Sequence, residues 1–192
     1  MTVHTKAKLF IISAPSGSGK TTLCNKLLAS GLGLADSVSM TTRPPRTGEK
    51  NKKDYIFVTD AYFKRKIKNG GFLEYEENFG YLYGTPKAFI EDNIRKGVSV
   101  LLNIDVKGAM KVARAYPAAS VLLFILPPSI KELKRRLHLR KSDSSAVIAR
   151  RLSIARREMS YRRKYHYRIV NDRISEAYKK LKNIIKKEME KE

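Results

Sequence analysis

Acidic residues are scarce in this chain: 18 Asp and Glu stand against 40 Lys and Arg, a formal net charge of +22. Cysteine occurs once, at Cys24, which excludes an internal disulfide framework and makes a reducing compartment the default. The three histidines, His4, His138 and His166, lie far apart and offer no metal-ligand spacing. No apolar run reaches the length of a membrane span, and the opening residues MTVHTKAK lack the apolar segment of a secretory signal. The expectation is a cytoplasmic protein with no membrane partner.

What is present fits one domain: 192 residues with a hydrophobic fraction of 42%, enough to fill a core. Residues 131–192 hold 21 of the basic residues and 8 of the acidic ones, so much of the charge lies in that stretch. No RNA-binding sheet pattern or zinc finger accompanies it. The charge is therefore read as a solvated Lys-rich surface together with a site for polyanionic small molecules, rather than a nucleic-acid footprint. Cys24 falls among Leu23, Leu27 and Leu28 at helical spacing and reads as a core thiol.

Along the chain, Lys8–Ser13, Val98–Ile104 and Ser120–Leu126 are short β-rich apolar runs, and Tyr167–Val170 is a last one. Helical patterns follow each: Lys20–Ser30, a segment from Lys107, Ser129 to about Leu139, and a terminal amphipathic helix marked by Ile174, Ala177, Tyr178, Leu181, Ile184 and Ile185. Between them, 36–53 reads as a long loop. Tyr55–Val58 and Phe72–Tyr75 read as strands around a helix at about 60–69, and Pro86 opens a helix to Arg95. A polar break at 140–145 precedes a long basic helix. Apolar strands alternating with helices predict an α/β fold built on a parallel sheet covered on both faces. Ligands of such sheets bind at the carboxyl ends of strands, here the loops after residues 13, 104 and 170.

The first of these loops carries chemistry. Ala14-Pro15-Ser16-Gly17-Ser18-Gly19-Lys20-Thr21 nearly matches G-x-x-x-x-G-K-[ST], with a strand before it and a helix after. Small residues let backbone N–H groups turn inward around phosphate oxygens, and the helix N-terminus adds its dipole. Lys20 would reach the β- and γ-phosphates and the Thr21 hydroxyl would hold Mg²⁺. The motif implies a nucleoside triphosphate but not its acceptor. Downstream, Arg43 and Arg46 lie three apart in a Pro-rich loop, so both can point at one dianionic phosphate.

The run Ser37-Val-Ser-Met-Thr-Thr-Arg-Pro-Pro-Arg-Thr-Gly-Glu49 with Asp54-Tyr55 resembles the nucleotide-monophosphate-binding region of guanylate kinases. Phe72-Leu-Glu-Tyr75, Tyr83-Gly84-Thr85, Ile104-Asp105 with Gly108, and Val170-Asn-Asp172 extend the resemblance from about Leu9 to Asp172. It implies a parallel-sheet P-loop core with a GMP-binding subdomain and a helical lid, in one domain over 1–192. The parts would be 8–36 (P-loop core), 37–96 (GMP-binding), 97–133 (core), 134–157 (lid) and 158–192 (core). The implied partners are ATP, GMP and, more weakly, dGMP, with Mg²⁺ accompanying ATP.

The resemblance also assigns roles. Ala14 to Thr22, including Pro15, Ser16, Gly17, Ser18, Gly19, Lys20 and Thr21, would hold the ATP phosphates, with Asn171 on the adenine side. Arg43, Arg46, Tyr55 and Tyr83 would take the GMP phosphate, and Ser39, Glu74, Thr85 and Asp105 the base. Lys20, Arg136, Arg140 and Arg151 would stabilise the transferring phosphoryl group. Singly, each has a plain structural explanation: loop charge, strand tyrosine, exposed glutamate, or, for Asp105, a helix cap. Only the joint spacing favours the functional one. Three positions depart from the family pattern: Ala14 for the first loop glycine, Lys141-Ser142 where Gly-Thr is frequent, and Asn103 where an acid is usual. Two rival functions are a P-loop kinase acting on a sugar phosphate and an inactive guanylate-kinase-like module that binds a phosphorylated partner. A homo-oligomer is compatible with the sequence.

Overall fold

The computed structural model describes residues 7–78, 80–139 and 145–191. Its core is a five-stranded parallel sheet in the order β2-β7-β1-β8-β9, formed by Ala35–Asp36, Val100–Asn103, Leu9–Ser13, Ser120–Leu126 and Tyr167–Val170. Every residue of β1 is buried, so its sequence is continuously apolar up to Ser13 rather than alternating.

The alternation of the pleat instead divides the strand residues between two cores. Phe10, Ile12, Leu101, Leu123 and Ile125 pack against Leu23 and Leu27 of α1 (Lys20–Leu28) and Ala177, Leu181 and Ile185 of α7 (Ile174–Met189). Leu9, Ile11, Leu102, Leu122 and Phe124 pack on the other face against Ile90 of α3 (Lys87–Arg95) and Val106, Ala109 and Val112 of α4 (Val106–Ala115). Each such side chain, fully buried, contributes about 1.5–3 kcal/mol. Cys24 is 2% exposed within the first core, and burial pushes its thiol up to about 12, so it is inert packing.

A second sheet, β4-β3-β6-β5, comes wholly from residues 40–86: Ile56–Phe57, Met40–Thr41, Tyr81–Pro86 and Phe72–Asn78. β3 pairs parallel with β4 and antiparallel with β6, and β5 pairs antiparallel with β6. The helix α2 (Asp60–Lys68) is capped by the Thr59 hydroxyl and buries Phe63 against Phe72, ring centroids 4.3 Å apart. A third small core joins α5 (Ile130–His138) to α6 (Ser145–Ser160) through Leu133, Leu137, Ile148 and Ala155.

The element boundaries differ from expectation in instructive places. The loop expected over 36–53 begins at the end of the short strand β2 and contains β3, both too brief for a sequence pattern to reveal. β6 went unanticipated because its Gly84 and Pro86 weaken the strand signal. Helix α1 ends at Leu28, ahead of the expected Ser30, and α4 starts at Val106 with Asp105 as its cap. Ser129 caps α5 as expected, accepting from the Glu132 amide.

Candidate active site

β1 runs straight into the phosphate-binding loop. Gly17 (φ 91°) and Gly19 (φ 83°) adopt left-handed conformations there. Gly19 also has no room for a side chain: a Cβ would stand 2.4 Å from Asn171 Nδ2. Ala14 does not share this backbone; the one non-glycine with positive φ among the described residues is Lys52. Replacing the first loop glycine by alanine therefore introduces no left-handed strain. On the other flank, a Cβ at Gly17 would meet Leu137 at 3.1 Å, so α5 abuts the loop.

The Lys20 ammonium rests on the Ile104 carbonyl at 3.0 Å, an oxygen also taken by the Ser13 hydroxyl at 2.9 Å. Burial lowers its pKa, opposed by the carboxylates of Asp105 and Glu158. Asp105, one residue beyond that carbonyl, caps α4 by accepting from the Gly108 amide at 2.8 Å. The capping explanation of Asp105 is thus correct, and it does not displace a functional one, because the carboxylate also lies within the electrostatic reach of Lys20. Thr21 and Thr22 are exposed on the first turn of α1.

Across from this loop stands the second sheet. Glu74 on β5 is 7% exposed. It accepts from the Thr85 hydroxyl at 2.6 Å. Its carboxylate presses so closely on α4 that a Cβ at Gly108 would be 2.7 Å from Oε2. Burial pushes its pKa up to about 7, with the Thr85 hydrogen bond opposing and Asp105 adding to the rise.

Arg43 is 8% exposed and lies 5.4 Å from the centroid of the Tyr55 ring, which meets Tyr83 edge-on at 5.9 Å. The predicted cluster Arg43, Tyr55 and Tyr83 is therefore assembled, although the three come from separate segments. Arg46 is exposed, and its amide donates to Glu49 at 2.7 Å. Ser39 and Tyr55 share one cleft with Thr21 from the P-loop side and with Asn103, which replaces the usual acid.

The remaining predicted residues fall on the opposite flank. Asn171 is 1% exposed and its side-chain amide donates to the Ser18 carbonyl at 2.7 Å, while its own Oδ1 has no hydrogen-bond partner. Arg136 reaches from α5 to the Asn171 carbonyl at 3.0 Å and to Glu132 at 2.8 Å. The paired Arg135 and Arg136 hold the Glu132 carboxyl down to about 2. Arg151 lies half-buried on α6. Arg140 and the departures at Lys141 and Ser142 lie outside the described residues.

Three residues escaped the sequence reading. Glu49 grips Arg43 Nη2 with both oxygens, at 2.8 and 2.9 Å; the R-x-x-R-x-x-E spacing was the available signal. Glu158 on α6 sits beside Lys20, and burial lifts its carboxyl to about 7, opposed by Lys20 and the Ser16 amide. Asn78 donates to Asp105 at 3.0 Å.

A parallel sheet whose first strand feeds a phosphate-binding loop, faced across a cleft by a buried carboxylate and a guanidinium, defines a P-loop phosphotransferase with a separate acceptor-binding sheet. The guanylate kinase family model matches residues 6–188. A guanylate kinase of Wolbachia pipientis wMel is 47% identical over 188 residues, covering 98% of this chain and 94% of the relative. One of Methylococcus capsulatus is 48% identical over 181 residues, covering 94% and 88%. The crystal structure of guanylate kinase from Anaplasma phagocytophilum superimposes with a TM-score of 0.82 at 39% identity, covering 97% of this chain and 88% of that one. The chain belongs to the guanylate kinase family.

Proposed function

We propose that this protein transfers the γ-phosphoryl group of ATP to GMP, giving ADP and GDP. The observation that carries the choice of acceptor is Glu74, a buried carboxylate held by Thr85 on the acceptor sheet. Ionised, it accepts two hydrogen bonds from guanine N1–H and the 2-amino group; the adenine edge offers an unprotonated N1 instead, leaving the carboxylate unsatisfied. Ser39, Thr85 and Asp105 complete the base contacts. Arg43, Arg46, Tyr55 and Tyr83 take the dianionic phosphate, which suits the existing Arg43–tyrosine cluster.

On the donor side the amides of 14–22, the Lys20 ammonium and the α1 N-terminus hold the triphosphate, and Asn171 lies toward adenine. Thr21 would hold Mg²⁺. Its exposed hydroxyl is a hard oxygen donor of the kind Mg²⁺ takes. Held by Thr21 and the triphosphate, the ion would supply charge neutralisation to the phosphates. Lys20, Arg136, Arg140 and Arg151 supply cations to the phosphoryl group in transfer, where positioning and charge stabilisation dominate catalysis. In this reading 37–96 and 134–157 close over the core and exclude water. The compartment in this reading is the cytoplasm. Among the described residues no helix is long and apolar enough to cross a membrane.

The test is ADP release with GMP, dGMP, AMP, UMP and a sugar phosphate as acceptors. GMP is expected to exceed AMP by about 10⁴-fold in kcat/KM, the scale of a site that demands a hydrogen-bond partner. Equal use of AMP, or preference for the sugar phosphate, overturns the reading.

A further inference from the structure

Strand alternation places Glu74, Glu76 and Asn78 on one face of β5, and all three turn to the same short stretch of the core. Glu74 presses on Gly108. Glu76 pairs with Lys111 at 2.6 Å and Lys107 at 3.5 Å. Lys111 also donates to the Tyr75 carbonyl at 3.0 Å. Asn78 donates to Asp105 Oδ2 at 3.0 Å, while Asp105 Oδ1 takes the Gly108 amide at 2.8 Å. An ionised carboxylate only accepts, so the amide nitrogen of Asn78, not its oxygen, faces Asp105.

We propose that Asn78 is a positioning residue for Asp105: it fixes the second carboxylate oxygen from the strand that carries Glu74, and so sets the two acidic groups of the base site in one geometry. The Gly108 amide alone leaves Asp105 free to swing about a single hydrogen bond. With Asn78 added, both oxygens are held, one from helix α4 and one from strand β5 of the second sheet. The donor adds to Lys20 and Lys111 in offsetting the repulsion between Asp105 and Glu74, two carboxylates brought close. The charged and titratable groups facing Asp105 are Glu74 on β5, Lys20 on α1, Glu158 on α6 and Tyr165 after α6. A neutral donor at 78 satisfies Asp105 without adding a charge that would compete with the ligand.

This rests on the GMP-kinase reading, and the wild type in the same assay separates the two. A wild type inactive on GMP defeats that reading; an active wild type with unaffected variants defeats only the role of Asn78. Asn78→Leu keeps the volume and removes the donor. It is expected to raise the KM for GMP about tenfold, the scale of a lost hydrogen bond to a charged group, with the KM for ATP unchanged. Asn78→Asp sets a third carboxylate against Asp105. Its defect, taken relative to wild type, is expected to shrink from pH 8 to pH 6 as the pair shares a proton, while that of Asn78→Leu stays level. In an Asp105→Ala background, which leaves no side-chain partner at 105, Asn78→Leu is expected to add nothing. A GMP KM within twofold of wild type in folded Asn78→Leu, a pH-independent Asn78→Asp defect, or full additivity with Asp105→Ala each overturns the proposal.

Discussion

The side-chain amide of Asn171 donates a 2.7 Å hydrogen bond to the carbonyl of Ser18, tying the last strand's loop to the phosphate-binding loop across 153 positions of sequence. The same amide fills the space in which a side chain at residue 19 would stand. Gly19→Ala therefore meets two penalties, the collision and a left-handed backbone at φ 83° that costs an alanine about 1–2 kcal/mol. The expected outcome is a lower melting temperature and a raised KM for ATP with the KM for GMP little changed. Thermal denaturation and steady-state kinetics check it.

Lys20→Ala removes a cation proposed to reach the phosphates and is expected to lower kcat roughly 10²-fold or more, with the circular dichroism of the folded chain retained. Arg140→Ala and Arg151→Ala are expected to behave alike if they are the arginines that close over the reacting group. Near-normal turnover in both would show that other members of the basic segment do that work.

Glu74 yields a prediction with a sign. Its folded pKa, about 7, exceeds the ordinary 4.5 because of burial. Between those values the folded chain holds a proton that the unfolded chain has lost, so this group's contribution to stability falls as pH rises through that window. In the proposed binding mode GMP takes the ionised carboxylate, so binding near pH 6.5 is expected to release a proton from Glu74. Calorimetry in buffers of different ionisation enthalpy should find more proton release for wild type than for Glu74→Gln, whose difference removes the contribution of the GMP phosphate itself. Glu74→Gln should also raise the KM for GMP strongly and leave ATP binding nearly unchanged; Ser39→Ala should do the same more weakly.

Glu49 holds Arg43 Nη2 with both oxygens and the Arg46 amide with one. Glu49→Gln loses the charge and turns a donor toward the guanidinium. The expected result is a GMP KM raised about tenfold with ATP kinetics intact, in the same direction as Arg43→Ala and smaller. An unchanged GMP KM would reduce Glu49 to a staple of the loop.

In the proposed mechanism arginines from both flanks of the core act on the phosphates, and this predicts closure. Small-angle scattering with a bisubstrate analogue should give a smaller radius of gyration than the free protein, and identical profiles at saturation would count against inward movement of 37–96 and 134–157.

Much of this molecule was legible in its sequence. The apolar runs ending at Ser13, Ile104, Leu126 and Val170 became parallel strands, the second of them Val100–Asn103, and the Gly-Ser-Gly-Lys turn fell where strand gives way to helix. These features are local: apolar period, turn residues and caps act over a few residues, so the chain declares them without reference to its fold. The acceptor side was legible only through the joint spacing of scattered residues. Arg43, Tyr55 and Tyr83 carry no local pattern that marks them as one cluster.

Other relationships had no sequence signal. Asn78 meets Asp105, Glu158 faces Lys20, and Asn171 braces Ser18, because strand order and register bring distant segments together. β5 alternation could place Glu74, Glu76 and Asn78 on one face, but not say that α4 covers it. The raised pKa of Glu74 belongs to the same category. A glutamate in a polar-looking stretch gives no hint of burial, and only the approach of Gly108, Thr85 and Asp105 strips it of water and shifts its proton. Sequence fixes what a segment prefers to be; desolvation and side-chain pairing depend on what packs against it, and that is decided only when the sheets close.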